Sequence, residues 1–214
     1  MATTKRANGR APAGREARPR RGEAVRQAEL LAIAADLFAD RGYVATTVRD
    51  IADEAGILSG SLYHHFDSKE SMIDEILSTF IDQTLASYES VIAEGKGPKD
   101  TFEGLVRTSL ESMVDSRAAI LIYQNEARFL AAQPRFSYLT AAHRKFEKIW
   151  TDVLKKGVKS GEFRDSIDPK LVYRLVRDTV WTAPRWYRPG GRSLKPERII
   201  DQYMAVLVDG VAAH

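Results

Sequence analysis

Small and polar side chains are concentrated in one short stretch near the N-terminus. Their hydroxyl, imidazole, guanidinium and ammonium groups can bind phosphate oxygens, and a serine hydroxyl can also donate to or accept from a base edge. Small residues among them would let a helix approach bases closely. The candidate DNA-contacting residues are Thr47, Arg49, Ser59, Gly60, Ser61, Tyr63, His64 and Lys69.

A second group of candidates follows helical spacing in the C-terminal half. Tyr173, Arg177, Trp181 and Arg185 recur at four-residue steps, which places them along one face of a helix predicted over 168–187. An arginine one turn from a tryptophan can bind a phosphate or carboxylate while the indole stacks on an apolar group. This pair suits an amphipathic anion such as an acyl-coenzyme A. The alternative is that Trp181 is core and Arg177 pairs with a nearby acid, because aromatic stripes at helical spacing are usually packing.

Other aromatic and polar residues of the C-terminal half are candidate walls of the same binding site. Taken singly, residues of these types are found in cores more often than against ligands. The candidates that we add to Arg177 and Trp181 are Tyr123, Gln124 and Trp150.

Several classes of function find no support in the residue types. Of 214 residues none is cysteine, which excludes disulfides, cysteine-ligated zinc and thiol nucleophiles and fits a reducing cytoplasm. No apolar run reaches the roughly 18 residues of a membrane span, and the Arg-rich N-terminus lacks the apolar core of a secretion signal. His64 and His65 point about 100° apart on a helix, which disfavours a metal site. Without an acid/base pair, phosphate loop or nucleophile elbow, we expect a cytoplasmic protein that is not an enzyme and needs no cofactor.

Charge divides the chain into three unlike regions. Residues 1–22 carry seven Lys/Arg against one acid, residues 23–75 carry four against eleven, and the remainder carries 21 against 17. The stretch 1–21 combines Pro, Gly, Ala and Arg with almost no large apolar residue, so we expect a disordered basic tail. It is either a solubilising extension or an arm laid along phosphates or into a minor groove.

Apolar residues recur at three- and four-residue steps along most of the remaining chain, which predicts helices and no strand. Short Gly, Pro, Asp or Ser breaks separate the periodic segments. The predicted helices cover about 23–41, 48–55, 59–65, 69–94, 99–115, 117–131, 136–160, 168–187 and 196–212. We therefore expect an all-α chain with a three-helix domain over 22–68 and a larger bundle over 69–214.

The segment 46–66 has the features of a helix-turn-helix. Thr47 is a suitable N-cap, and Asp50 three residues later approximates a capping box. Gly56 permits the positive φ of a tight turn between two helices. Ser59 is expected to cap the second helix, whose polar N-terminal residues would face the major groove. The alternative is that two small helices merely close a bundle.

The segment 46–69 resembles the N-terminal signature of the TetR family, most closely in LYHHF at 62–66 with Lys69. Three later segments extend the resemblance to the second group of KstR-type repressors of cholesterol catabolism. They are IYQNEA at 122–127, QPRFSY at 133–138, and RDTVW through RWYRPGG at 177–191. The resemblance implies a TetR-like fold, double-stranded operator DNA as partner, and as effector a coenzyme A thioester of a steroid ring fragment.

The resemblance also implies a homodimer, because the last two helices of TetR-like proteins usually pair into a four-helix interface. A dimer suits a palindromic operator, since one set of weak base contacts gives too little specificity. The alternative is that the last helix packs only within its own subunit. The apolar residues expected at the interface are Ile199, Ile200, Tyr203, Met204, Val206 and Leu207.

Together these features predict a repressor that binds operator DNA as a dimer and that a small effector releases. The predicted helix 69–94 would act as the lever that changes the spacing of the recognition helices. Three alternatives stay open: an acyl-CoA-handling enzyme with a DNA-binding-like module, a scaffold for acidic partners, and a TetR-type regulator of another hydrophobic ligand.

Overall fold

The computed structural model describes residues 21–187 and 195–212, without the side chains of Arg21 and Ala24. These residues are mostly helical and contain no β-strand, which confirms the predicted all-α fold. No helix among them is long and apolar enough to cross a membrane. The expected tail 1–21 lies outside the described residues except for Arg21. The elements are α1 (Arg21–Arg41), α2 (Val48–Glu54), α3 (Ser59–Leu62), α4 (Lys69–Ala93), α5 (Pro98–Asp115), α6 (Arg117–Leu130), a 3₁₀ turn (Pro134–Phe136), α7 (Tyr138–Ser160), α8 (Pro169–Val180), α9 (Ala183–Trp186) and α10 (Pro196–Val211).

One continuous core of buried apolar side chains runs through the described part of the molecule. Leu30 of α1, Ile51 of α2 and Leu62 of α3 belong to the same cluster as Phe102 of α5. α1 packs against both α4 and α6, so the N-terminal helices rest directly on the larger bundle. Because close-packed interiors transmit displacement, a shift of α6 or α4 must be accommodated by α1.

Side-chain caps fix where several helices begin. Thr47 caps α2 and Ser68 caps α4, each through a reciprocal capping box with the residue three positions later. Asp168 caps α8 by accepting from the backbone N–H groups of Lys170 and Leu171 at 2.7 and 3.2 Å. The predicted cap at Thr47 is therefore confirmed.

The helix predicted over 168–187 is broken into two. α8 ends at Val180, and the four-residue α9 begins at Ala183 with Pro184 in its first turn. Pro184 has no N–H to donate to the carbonyl of Val180, and a proline disfavours helical geometry in the residue before it. The expected single face from Tyr173 to Arg185 is consequently wrong, and Arg185 extends from α9.

α10 lies mainly against α5, and this packing alters the expected dimer surface. Ile199 and Ile200 are buried inside the subunit, so they are not free to face a partner. Val206, by contrast, exposes 72% of its surface. The half-buried residues of the predicted set are Tyr203, Met204 and Leu207.

Candidate functional site

The first helix of the helix-turn-helix is held at its start by Thr47 and Asp50. The Thr47 N–H and hydroxyl donate to Asp50 Oδ2 at 2.7 and 2.6 Å, and the Asp50 N–H donates to Thr47 Oγ1 at 3.1 Å. These hydrogen bonds, the hydroxyl first, hold the pKa of the Asp50 carboxyl below its usual value. Because Asp50 accepts the Thr47 hydroxyl proton, a phosphate contact by that hydroxyl would have to replace an existing bond.

The turn into α3 follows the expected pattern at Gly56 but not at Ser59. Gly56 has φ +65°, which a residue with a side chain rarely adopts. The N-cap of α3 is Leu58, without a side-chain cap, and Ser59 is the first helical residue. The prediction that Ser59 caps this helix is therefore wrong by one position. Its hydroxyl is left available to DNA instead of to the helix terminus.

Six of the eight predicted DNA-contacting residues, all except Thr47 and Lys69, are exposed or half-exposed on α2, α3 and the turn after α3. Leu62 and Phe66 are buried beneath them, as expected for the inner side of the motif. Arg49 is exposed on α2 and forms a loose ion pair with Asp53 at 3.7 Å. The exposed residues of the predicted set on α3 and the turn are Gly60, Tyr63 and His64, and the half-exposed ones are Ser59 and Ser61.

Two apolar residues near this surface were missed by sequence reasoning. Leu58 and Val44 expose 80% and 70% of their surfaces. An exposed apolar side chain beside a recognition helix can contact thymine methyl groups in the major groove. Neither stands out in the sequence, because Leu and Val are read as core residues unless the fold shows otherwise.

Lys69 has a structural role that differs from the expected phosphate contact. Its ammonium donates to the carbonyls of Tyr43 and Thr46 at 2.8 and 2.7 Å and lies 4.4 Å from the Tyr43 ring centroid. Two of its three donors are thus used to hold the loop between α1 and α2. This loop carries Thr47, so Lys69 fixes the position at which the helix-turn-helix begins.

The larger bundle contains a cavity of about 740 Å³ between α6, α7, α8 and α9. This volume is within the range of small-molecule sites. Four of the five predicted ligand-binding residues line it, namely Tyr123, Gln124, Arg177 and Trp181. Residues that sequence reasoning did not assign to the site include Arg128, Leu139, Thr140, His143 and Thr182. They come from segments whose relative placement the sequence pattern does not encode.

The cavity wall is rich in cationic groups. Arg128, Arg177 and Arg185 line it, with Asp178 as the acidic residue among the lining side chains. Arg177 donates to Asp178 Oδ1 at 2.8 Å, so this arginine does pair with an acid, as the alternative interpretation expected. That ion pair is about one third exposed on the arginine side and links neighbouring residues. Such a pair is weak, and an anionic ligand can compete for the guanidinium.

Aromatic rings form the inner wall of the cavity. The Trp181 ring lies 5.5 Å from Tyr123 and 5.9 Å from Phe80, in edge-to-face arrangements. Burial raises the pKa of the Tyr123 hydroxyl to about 12, so this group is a neutral donor at physiological pH. The ring is buried, but the hydroxyl is not an enclosed atom without a partner. It makes no hydrogen bond with the described residues and is therefore open to the cavity that Tyr123 lines. Trp181 therefore packs against neighbouring rings and also lines the cavity. The Tyr123 hydroxyl provides a hydrogen-bond donor to a ligand in the cavity.

Trp150 does not line this cavity. It is 3% exposed and packs edge-to-face against Tyr88 and Phe102, at 5.8 Å from each. Its assignment as a ligand contact is corrected to a core position. The indole is large enough to fill the space between α4, α5 and α7, which helical periodicity alone could not distinguish from a pocket wall.

Comparison with protein families assigns both halves of the chain. Residues 30–76 match the model described as bacterial regulatory proteins, tetR family, and residues 95–211 match that of the tetracyclin repressor-like C-terminal domain. The second match alone covers more than half of the chain. The chain belongs to the TetR family.

Within the family, the chain is similar to repressors named KstR2. It is 52% identical to KstR2 of Rhodococcus jostii over 192 residues, covering 90% of this chain and 94% of the relative. With KstR2 of Mycolicibacterium smegmatis it shares 46% over 188 residues, or 88% and 91% of the two chains. A solved structure described as the ketosteroid transcriptional regulator KstR2 of Mycobacterium tuberculosis matches with a TM-score of 0.85 at 48% identity, covering 88% of this chain and 96% of that one. The predicted resemblance is confirmed, and this TetR-family chain is a helix-turn-helix transcriptional repressor.

In this TetR-family chain, α8 and α10 carry exposed apolar side chains among their polar ones. Leu171 and Leu175 of α8 expose 56% and 64% of their surfaces. The Tyr203 hydroxyl of α10 donates to the carbonyl of Thr179 at 3.0 Å, which joins the two helices. Val206 is exposed on α10, so the two joined helices carry large apolar side chains that the subunit itself does not cover. We call Leu171, Leu175, Tyr203 and Val206 the α8–α10 surface.

Proposed function

We propose that this repressor binds a palindromic operator as a homodimer and that a coenzyme A thioester of a steroid ring fragment releases it. The observation that carries the proposal is the cavity between α6 and α9. The aromatic wall of this cavity, with the Tyr123 hydroxyl as donor, suits an apolar ring that carries a ketone. The arginines of the same cavity suit an anionic group attached to that ring.

The DNA contact of the proposal rests on the outward surface of α2 and α3. Gly60 lets the helix backbone approach base edges, while the hydroxyls of Ser59 and Ser61 donate to or accept from them. Exposed Arg49, Tyr63 and His64 surround this centre and suit phosphate contacts. Serine discriminates weakly between bases, so two such surfaces are needed for a specific site.

The effector class is supported by the arginines and rings of the cavity. Trp181 and Tyr123 provide apolar contact, and the Tyr123 hydroxyl can donate to a ring ketone. Arg128, Arg177 and Arg185 can bind the phosphates or the carboxylate of an anionic ligand. The relatives named KstR2, one of them described as a ketosteroid regulator, support a steroid-derived effector.

The homodimer is supported by the α8–α10 surface. Pairing two copies about a twofold axis would cover Leu171, Leu175 and Val206 and form the four-helix interface expected in this family. The same surface adjoins α9, which carries cavity residues. An effector bound in this cavity would therefore lie where it could change the relation between the two subunits.

The experiment begins with an unbiased selection of palindromic DNA by the purified protein. The selected duplex is then titrated in fluorescence anisotropy against the steroid-ring CoA thioester, its free acid, a neutral ketosteroid, and CoA alone. We expect release at the lowest concentration with the thioester, since it alone supplies both the ring and the nucleotide anion. Equal DNA affinity in all four titrations would refute the effector, and failure to select any palindrome would refute the operator.

A further inference from the structure

Helix α6 is held on one side by the cavity wall and on the other by the helix-turn-helix. Toward the cavity, Gln124 donates to the carbonyl of Trp181, and Arg185 donates to Gln124 Oε1 at 3.3 Å and to Asn125 Oδ1 at 2.8 Å. The next residue, Glu126, reaches the N-terminal region. Its Oε1 accepts from the backbone N–H of Tyr43 at 3.2 Å, across 83 residues of sequence.

We propose that Glu126 is the positioning residue through which the state of the cavity reaches the DNA-binding helices. It deepens the proposed function, since it names the contact by which the effector would act. Three consecutive residues, Gln124, Asn125 and Glu126, join Arg185 of α9 to Tyr43 of the α1–α2 loop. Any axial or rotational shift of α6 that a ligand imposes at Arg185 or Trp181 must therefore move the Glu126 carboxylate relative to that loop.

The loop that Glu126 contacts leads directly into α2. Tyr43 is buried, with its ring 5.3 Å from that of Phe38, and its carbonyl accepts from Lys69. Lys69 also binds the carbonyl of Thr46, the residue before the N-cap of α2. The Tyr43 backbone is thus held on both sides, its N–H by Glu126 of α6 and its C=O by Lys69 at the start of α4. A displacement of Glu126 therefore acts on a residue that lies four positions before Thr47, the N-cap of α2.

A second set of contacts joins the start of α7 and the segment before it to α4, the helix that follows the helix-turn-helix. Tyr138 and Arg135 donate to the Asp74 carboxylate at 2.9 and 3.0 Å. Neither residue lines the cavity, and Asp74 lies one turn inside α4. The Glu126 contact differs because the same short segment of α6 touches both the cavity wall and the loop before α2.

The first test needs neither DNA nor effector. Amide hydrogen exchange over residues 42–48 is compared in the full-length wild type, Arg185→Ala, Glu126→Ala and the double variant. We expect Arg185→Ala to raise exchange by at least about threefold when Glu126 is present and to have no further effect when it is absent, because distant sites are otherwise additive. The proposal is overturned if Arg185→Ala changes exchange over residues 42–48 equally in the presence and absence of Glu126. It is also overturned if Arg185→Ala changes exchange in neither background.

Two further variants separate coupling from general loosening. Arg128→Ala removes a cavity arginine that makes no hydrogen bond or ion pair with the described residues, and we expect it to leave exchange over 42–48 unchanged. Glu126→Gln keeps an acceptor for the Tyr43 N–H and should retain the Arg185→Ala effect. Loss of the effect in Glu126→Gln as in Glu126→Ala overturns the assignment to this hydrogen bond.

The second readout is the ratio of operator affinities with and without the steroid-ring CoA thioester. We expect Glu126→Ala to bind the thioester with wild-type affinity while this ratio falls toward one, from the roughly 5- to 150-fold that is typical of such coupling. A wild-type ratio in Glu126→Ala overturns the proposal. A wild type that does not respond to the thioester instead refutes the proposed effector, and the exchange experiment still decides the role of Glu126.

Discussion

The Lys69 ammonium lies 4.4 Å from the centroid of the Tyr43 ring and donates to the Tyr43 carbonyl at 2.8 Å. This pairing joins the first residue of α4 to the loop before α2. A lysine in a DNA-binding segment is expected on charge alone to bind phosphate. Two of the three Lys69 donors are bound to backbone carbonyls, so we expect that removing this side chain mainly lowers the stability of the fold.

We predict that Lys69→Ala lowers the free energy of unfolding by about 1.5 to 3 kcal/mol, the usual range for hydrogen bonds to a charged group. Operator binding should weaken with an almost unchanged dependence on salt concentration. Arg49→Ala is the matched control, since Arg49 is exposed on the DNA-facing surface. It should reduce the salt slope by about two per dimer and leave stability intact. Urea unfolding measures the stability of each variant, and fluorescence anisotropy at several salt concentrations measures the salt dependence of operator binding. If Lys69→Ala reduces the salt dependence of binding and leaves stability unchanged, the structural role of Lys69 is contradicted.

Local signals in the sequence predicted the N-terminal motif well because each depends on a few neighbouring residues. The Thr47 cap and the Gly56 turn are examples, since a hydroxyl and a missing side chain act within one turn of the chain. The role of Lys69 was missed because its partners, Tyr43 and Thr46, are more than 20 residues away. The sequence shows that a side chain is charged, but tertiary contacts decide whether that charge is available to bind DNA.

A second prediction concerns the free hydroxyl of Tyr123. Tyr123→Phe removes a donor from the cavity and keeps the ring, so effector affinity should fall by about 2- to 10-fold, as for one neutral hydrogen bond. Operator affinity without effector should not change. Quenching of tryptophan fluorescence on titration with the thioester measures the affinity, because Trp181 lines the same cavity.

Trp150→Phe serves as the control for that titration. It removes volume from the core without touching the cavity, and we expect an unfolding cost of about 1 to 3 kcal/mol with effector affinity preserved. A loss of affinity in Trp150→Phe, together with none in Tyr123→Phe, would return Trp150 to the binding site.

The C-terminal half shows why spacing alone did not define the site. Four-residue steps from Tyr173 to Arg185 suggested one helix face, but α8 ends at Val180 and α9 begins at Ala183 with Pro184 in its first turn. The cavity forms because the chain turns there and brings Arg185 against Gln124 and Asn125 of α6. Periodicity in the sequence identifies the buried face of one helix. A cavity forms between several helices, and their relative positions are not encoded in that periodicity.

The third prediction addresses the α8–α10 surface. Leu175→Asp and Val206→Asp each place an unpaired charge where two subunits would meet, which costs about 3 to 5 kcal/mol per buried charge. We expect both variants to elute as monomers at micromolar concentration and to lose most operator affinity. Ile92→Asp changes an exposed apolar residue at the far end of α4 and should remain dimeric. Light scattering distinguishes these states; dimers in both interface variants would place the subunit contact elsewhere.

The last prediction concerns stability at alkaline pH. Burial raises the pKa of several tyrosines, including Tyr88, Tyr123 and Tyr173, above the ordinary value of 10, and in Tyr138 the neighbouring Asp74 adds to this. A group whose pKa is higher in the folded state stabilises the fold while it is protonated in both states. The contribution is complete below about pH 10, where unfolded tyrosine ionises, and is lost as pH rises through the folded pKa.

We therefore expect these tyrosines to cause no change in melting temperature with pH near neutrality. From about pH 10 upward, the melting temperature should fall steeply. Absorbance of tyrosinate, followed in the same samples, should rise together with unfolding because the buried hydroxyls ionise only when exposed. Tyr138→Phe should move this loss to higher pH, since it removes one of the groups whose ionisation opposes folding. Full ionisation of the tyrosines while the helical signal persists would show that their burial does not control the transition.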